Sequence, residues 1–134
     1  MDERQIKGLA DRFIGQLHQL ERGGIENADA IAELFADDAE LSNSIIEADG
    51  SKSQRGGREE IARFWREYRE SFQAIRSEFS NITANDHSAG LFWTSDGSDA
   101  NGRSLHYEGV SLLSFDESGK IKNFKAYFDQ AQLH

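Results

Sequence analysis

Residues 104–128, SLHYEGVSLLSFDESGKIKNFKAYF, decide the fold class. Two runs rich in β-branched and aromatic residues flank the turn sequence Asp116-Glu117-Ser118-Gly119. Glycine at the fourth turn position suits a type I turn closed by a G1 bulge, so the segment reads as a long antiparallel hairpin. In the second run Phe124, Ala126 and Phe128 share one side, and Tyr127 takes the other. Working back from this hairpin, SEFSNITAN (77–85) and HSAGLFWTSD (87–96) read as two more strands. Asn101-Gly102 marks the turn that joins the second of them to residue 104. The unalternating Leu91-Phe92-Trp93 is expected to be buried on both faces.

The first half has a different period. Ile6, Leu9, Ala10, Phe13, Leu17 and Leu20 fall at helical spacing, predicting a helix over 2–22. Asp2 with Gln5 predicts its capping box, and Gly23-Gly24 its end. A second helix is expected over 28–37, capped by Asn27 and burying Ile31, Leu34 and Phe35. AELSNSII (39–46) reads as the first strand, and GSKSQRGG (50–57) as loop. Ile61, Phe64, Trp65, Tyr68, Phe72 and Ile75 predict a third helix over 58–76. Its charged side offers Glu59–Arg63, Arg63–Glu67 and Arg66–Glu70 at i,i+4, each adding only about 0.2–0.5 kcal/mol. Three helices before most of a mainly antiparallel sheet of about six strands give an α+β class. Helices on one face of a curved sheet leave a cone whose open end suits a ligand.

Composition narrows the function. The 134 residues suit one domain, 1–134, and 14 aromatics with 37% apolar residues support a packed core. Fifteen basic against 24 acidic residues give a net charge of −9, which argues against nucleic acid or an anionic membrane as partner. The absence of cysteine excludes thiol chemistry and Cys-based zinc sites. With no apolar run of 18 residues and no apolar signal in MDERQIKG, the expected location is the cytoplasm.

The chemical motifs are weak. His18, His87, His106 and His134 form no zinc-ligand spacing, so no metal and no cofactor is expected. DGSDANGRSLHYE imitates a calcium loop only in part and reads as a hairpin turn, since its first ligand position is Gly97. No phosphate-cradling glycine run occurs. Gly109-Val110-Ser111-Leu112-Leu113 lacks the second glycine of a nucleophile elbow. Asn81-Ile82-Thr83 matches the glycosylation triplet, which has no use without export. His106 and Glu108 share a strand face, and an exposed cross-strand ion pair is favoured over proton transfer. Asp129 is expected to pair with an Arg or a backbone N–H rather than act as a base. The seven acids between Asn27 and Asp49 read as a solvated face.

SFDESGKI (114–121) with KAYF (125–128) resembles the closing hairpin of bacterial ketosteroid isomerases. Gly8-Leu9, Arg12-Phe13-Ile14 and FADDA (35–39) resemble their first two helices. The order of elements is similar to that of the nuclear transport factor 2-like superfamily, which also holds SnoaL-like polyketide cyclases and limonene epoxide hydrolases. The resemblance implies a helix-lined cone on a curved sheet and says less about chemistry, because this fold hosts many functions. It implies a catalytic tyrosine where this chain has Phe13, an aspartate base at Asn43, and a protonated aspartate at Ser111. The cyclases and epoxide hydrolases imply an aspartate where Ala126 stands. The Arg and Asp of the epoxide hydrolases meet Leu91-Phe92-Trp93-Thr94-Ser95, which offers neither.

A proton shuttle between carbons needs a base and an oxyanion donor, and losing one such donor costs roughly 3–4 kcal/mol of barrier. Ketosteroid isomerase-type chemistry is therefore not expected, and the cone is expected to hold no ionisable group able to move protons. The cavity itself is expected to survive, lined by Phe13, Leu17, Phe35, Phe64, Tyr68, Trp93, Ala126 and Phe128. Asn43, Tyr107 and Ser111 are its expected polar anchors. Three readings follow. The first is a pocket for a small apolar or aromatic ligand. The second is an isomerase, cyclase or (de)hydratase using Tyr107, Tyr68, Asn43 and His106. The third is a dimerisation module with a filled cone. A sheet-to-sheet homodimer is expected from Leu91-Phe92-Trp93, Val110, Leu112 and Tyr127, and the resemblance implies it as well.

Overall fold

The computed structural model describes residues 1–44 and 55–133. Helix α1 spans Glu3–Arg22, and both halves of its capping box form. The Gln5 amide donates to the Asp2 carboxylate at 2.8 Å, and the Asp2 amide to the Gln5 side chain at 2.9 Å. The Gly23 amide closes the other end on the Gln19 carbonyl. A 3-10 turn at Ile25–Asn27 leads into α2, Ala28–Ala32, and then β1 runs over Phe35–Asn43.

The second helix is thus half its expected length, and Asn27 makes no side-chain cap. Phe35 belongs to a strand: it pairs with Ile121, whose amide donates to the Leu34 carbonyl at 2.9 Å. Five helical residues propagate few hydrogen bonds, so the ladder prevails over another helical turn. Expected strand residues 45–46 and loop residues 50–54 lie outside the described residues.

Strand β2 is Arg55–Gly56 and α3 is Arg58–Glu70. The expected continuation to Arg76 is replaced by β3, Phe72–Ala84. Phe72 and Ile75 are three apart and fit either period, but they pair with Asp99 and Gly97 of β4, Ser88–Asp99. Long-range pairing overrides the local pattern here. Arg66 of α3 meets Asp29 at 3.5 Å, and Arg63 meets Glu60 at 3.2 Å, an i,i+3 pair.

Strands β5, Ser104–Phe115, and β6, Ile121–Phe128, form the anticipated hairpin. Gly119 sits at φ +89°, a conformation that favours glycine, and its amide bonds the Asp116 carbonyl at 3.0 Å. A final 3-10 turn covers Gln130–Leu133. The six described strands run β2-β1-β6-β5-β4-β3, antiparallel except for β1 beside β6.

The helices cover one face of this sheet. Ile6, Ala10, Phe13, Leu17 and Leu20 of α1 meet Ile61 and Trp65 of α3 and Leu41, Leu91, Leu113 and Phe124 of the strands in one core. Burying a side chain of this size contributes about 1.5–3 kcal/mol. Within β4 the residues alternate: Leu91 and Trp93 are buried, whereas Phe92 is 42% exposed on the opposite face. The expectation of burial on both faces fails because no described residue covers Phe92 on the outer side. Val110 and Tyr127 lie level with Phe92 there, and Leu112 lies two residues along β5.

Candidate functional site

Between helices and sheet lies a cavity of about 430 Å³. This is within the range of small-molecule sites, and too large for a filled cone. Ten of the eleven expected lining residues surround it. Phe13 and Leu17 come from α1, Phe64 and Tyr68 from α3, and Asn43 from the end of β1. Trp93, Tyr107, Ser111, Ala126 and Phe128 come from β4, β5 and β6. Phe35 is the exception. It is fully buried behind the wall, with its ring 6.1 Å from Phe124 and 6.5 Å from Trp65.

Strand register explains the convergence. Asn43 pairs with Ala126, and Ala126 pairs with Ser111, so the three form one row across β1, β6 and β5. The Trp93 indole N–H donates to the Ser111 hydroxyl at 3.0 Å. Trp93, Tyr107 and Phe128 form a ring cluster with centroids 5.4–6.1 Å apart. Gly109 makes room for it, since a Cβ there would stand 2.8 Å from the Trp93 ring and 2.3 Å from the Tyr127 carbonyl. On the helical side Trp65 packs edge-on to Phe13, Phe64 and Tyr68.

A model of the SnoaL-like domain family matches residues 18–124. The chain belongs to the SnoaL-like domain family. Its fold is that of an NTF2-like protein of unknown function from Exiguobacterium sp. 255-15, at TM-score 0.73 and 17% identity over 90% of this chain and 98% of that one. It also matches SalBIII, an epoxide hydrolase/cyclase-like enzyme of pyran ring formation in the polyether salinomycin. There the TM-score is 0.75, with 16% identity over 96% of this chain and 94% of that one. At these identities the likeness carries the fold. No curated protein matches the chain. The nuclear transport factor 2-like architecture implied by the sequence is thus the architecture of this SnoaL-like domain.

Ionisable groups lie elsewhere than the sequence suggests. Glu67 and Asp99 line the cavity, which corrects the expectation of a cone without acids. Behind the wall sits Glu21, only 4% exposed. Its Oε1 accepts the Ser77 amide at 2.9 Å, and its Oε2 accepts the Ser77 hydroxyl at 2.7 Å and the Tyr68 hydroxyl at 2.6 Å. The Ser77 and Ser95 hydroxyls lie 2.6 Å apart; with the Ser77 proton given to Glu21, Ser95 is the donor between them. His18 Nε2 meets the Ser77 carbonyl at 3.0 Å. Glu21 lies four residues after Leu17 and eight after Phe13, on the apolar face of α1. That spacing was its sequence signal.

The carboxylate marks both cavity tyrosines in this SnoaL-like domain. Burial raises the Tyr68 phenol well above its usual value, and the Glu21 charge raises it further. Burial, followed by the same charge, pushes Tyr107 up to about 12, partly opposed by a hydrogen bond with Ser95. Both therefore carry their protons at neutral pH and act as donors rather than bases.

His106 does not join the site. It pairs with Asp96 across β4 and β5 at 2.5 Å on the exposed face, and that hydrogen bond raises its pKa. Asp129 accepts the Ala131 amide at 2.9 Å, and Asp99 accepts the Asn101 and Arg103 amides, each at 2.9 Å, in the hairpin loop. Wall residues that sequence reading missed include Trp65, Phe72, Ser77, Phe79, Ser95 and Phe124. Phe72 was obscured by the extended third helix, and the serines by their lack of chemical signal.

Proposed function

We propose that this SnoaL-like domain binds a small apolar or aromatic molecule in its cone, without the acid–base set implied by the likeness to ketosteroid isomerases. The observation that carries this reading is the aromatic cavity of about 430 Å³ with Phe13, Asn43, Ser111 and Ala126 on its wall. None of these four side chains supplies a proton-accepting carboxylate, while Asn43 and Ser111 in the sheet row leave two polar anchors in an apolar surround. The test uses 2-naphthalenemethanol, a neutral aromatic probe, followed by calorimetry. Ser111→Trp fills the cavity and should weaken binding at least tenfold while circular dichroism stays native. Unchanged affinity in the folded variant would refute the site.

A second reading, an isomerase, cyclase or (de)hydratase, is favoured by one observation, the Glu21 carboxylate held 2.6 Å from the Tyr68 hydroxyl. In it Tyr107 donates to a developing oxyanion and Asn43 orients the substrate, while the Tyr68 proton stays in its hydrogen bond to Glu21. His106 is not part of that set, because it lies on the outer face. We also propose a homodimer through the outer sheet, on the apolar surface of Phe92, Val110, Leu112 and Tyr127. Sedimentation should give a dimer that Leu112→Glu converts to monomer. None of the described helices is long and apolar enough to cross a membrane.

A further inference from the structure

The cavity has a sign. Ten of the twenty described residues that line it are aromatic. Two more are the acids Glu67 and Asp99, and no lysine, arginine or histidine is among the described residues that line it. Arg69, next to Tyr68 in sequence, turns a guanidinium N–H to the Phe72 carbonyl at 3.0 Å. Glu21 adds a third negative charge behind the wall. Its three hydrogen bonds come from neutral donors, the Tyr68 hydroxyl and the Ser77 amide and hydroxyl. No ion pair offsets it among the described residues. A carboxylate satisfied by dipoles keeps its full charge, and the low-dielectric surround carries its field further than water would.

Aromatic faces add to that field, because their quadrupole is negative towards a ligand lying over the ring. The Tyr68 hydroxyl proton is committed to Glu21, which leaves an oxygen lone pair on Tyr68 as an acceptor. Acids at the wall raise the local concentration of cations and lower that of anions.

Building on the pocket reading above, we propose that the cavity selects an apolar or aromatic body carrying a protonated amine or quaternary ammonium group, and rejects the matching carboxylate. The apolar body fills the space between the Trp65 and Trp93 clusters, and the cationic end lies towards the Tyr68–Glu21 side. Exclusion of anions follows from the same charges, since a ligand carboxylate would meet no cation among the described residues that line the cavity.

The test compares three probes of one shape by calorimetry at pH 7: 2-naphthylmethylamine, 2-naphthalenemethanol and 2-naphthoate. The amine should bind at least about tenfold tighter than the carboxylate, with the alcohol between them. Glu21→Gln keeps the shape and an acceptor oxygen but removes the charge, and should cut the amine-to-carboxylate ratio by about threefold or more. Glu67→Gln, at the exposed rim, tests the same term should the buried change impair folding, and should reduce the ratio less. Asp38→Asn removes an exposed charge away from the cavity and should leave the ratio unchanged, which separates the site from the net charge of −9. If the alcohol binds and the amine has no advantage over the carboxylate, the charge assignment is wrong and the pocket stands. A ratio as sensitive to Asp38→Asn as to Glu21→Gln or Glu67→Gln also overturns it. If none of the three probes binds, the pocket reading falls and this inference with it.

Discussion

Two sides of one cavity carry opposite lessons. The sheet row Asn43–Ala126–Ser111 is uncharged, at the positions where the resemblance to isomerases and cyclases implies aspartates. The wall where α1 meets β3 is charged, with Glu21 locked to Ser77 and Tyr68. A carboxylate on the row would face the cavity and could act on a ligand directly. Glu21 is a layer deeper, spoken for by three donors, and acts through Tyr68 and through its field. Its place in the cavity is electrostatic and organisational.

The largest effect should come from breaking the charged wall. Glu21→Leu leaves the Tyr68 hydroxyl and the Ser77 amide and hydroxyl buried without their acceptor. Urea denaturation should show a loss of about 3 kcal/mol. A loss under about 1 kcal/mol would mean that the wall is held by packing alone. A smaller effect is expected from alkali. Tyr107 ionises near 12 in the folded protein and near 10 when unfolded, so the unfolded chain loses its proton first. Stability contributed by the neutral phenol is intact below pH 10 and disappears as the pH rises towards 12, by roughly 2–3 kcal/mol in all. Tyr107→Phe should flatten that part of the stability profile. The smallest effect belongs to the outer face. His106→Ala removes an exposed pair with Asp96 and should change neither stability nor probe affinity measurably. A drop in affinity would bring the outer face into the site.

Much of this architecture was legible in the residues. The apolar stripe of α1, its capping box and the DESG turn each have a local cause, so each could be read locally. The lining row was legible because strand parity puts Ser111 and Tyr107 on one face, and the family resemblance supplied the frame for Asn43 and Ala126. The failures share a physical origin. Phe35 and Phe72 sit at helix-to-strand boundaries, where their spacing suits both periods and a distant partner strand decides. Glu21 went unread, although its spacing places it on the apolar face of α1, because Ser77, its principal partner, lies 56 residues away. It becomes visible only once β3 begins at Phe72 and brings Ser77 opposite α1. Phe92 looked like core for a similar reason: its run is apolar, yet only one face of the sheet is covered by helices.

The most direct measurement is a set of intermolecular NOEs between 2-naphthalenemethanol and the isotope-labelled protein. The account predicts contacts from the probe to the Ala126 methyl group and to the rings of Phe13 and Trp93, on the inner face. Contacts to Phe92, Leu112 and Tyr127 instead, or no contact to the inner face at saturating probe, would contradict it.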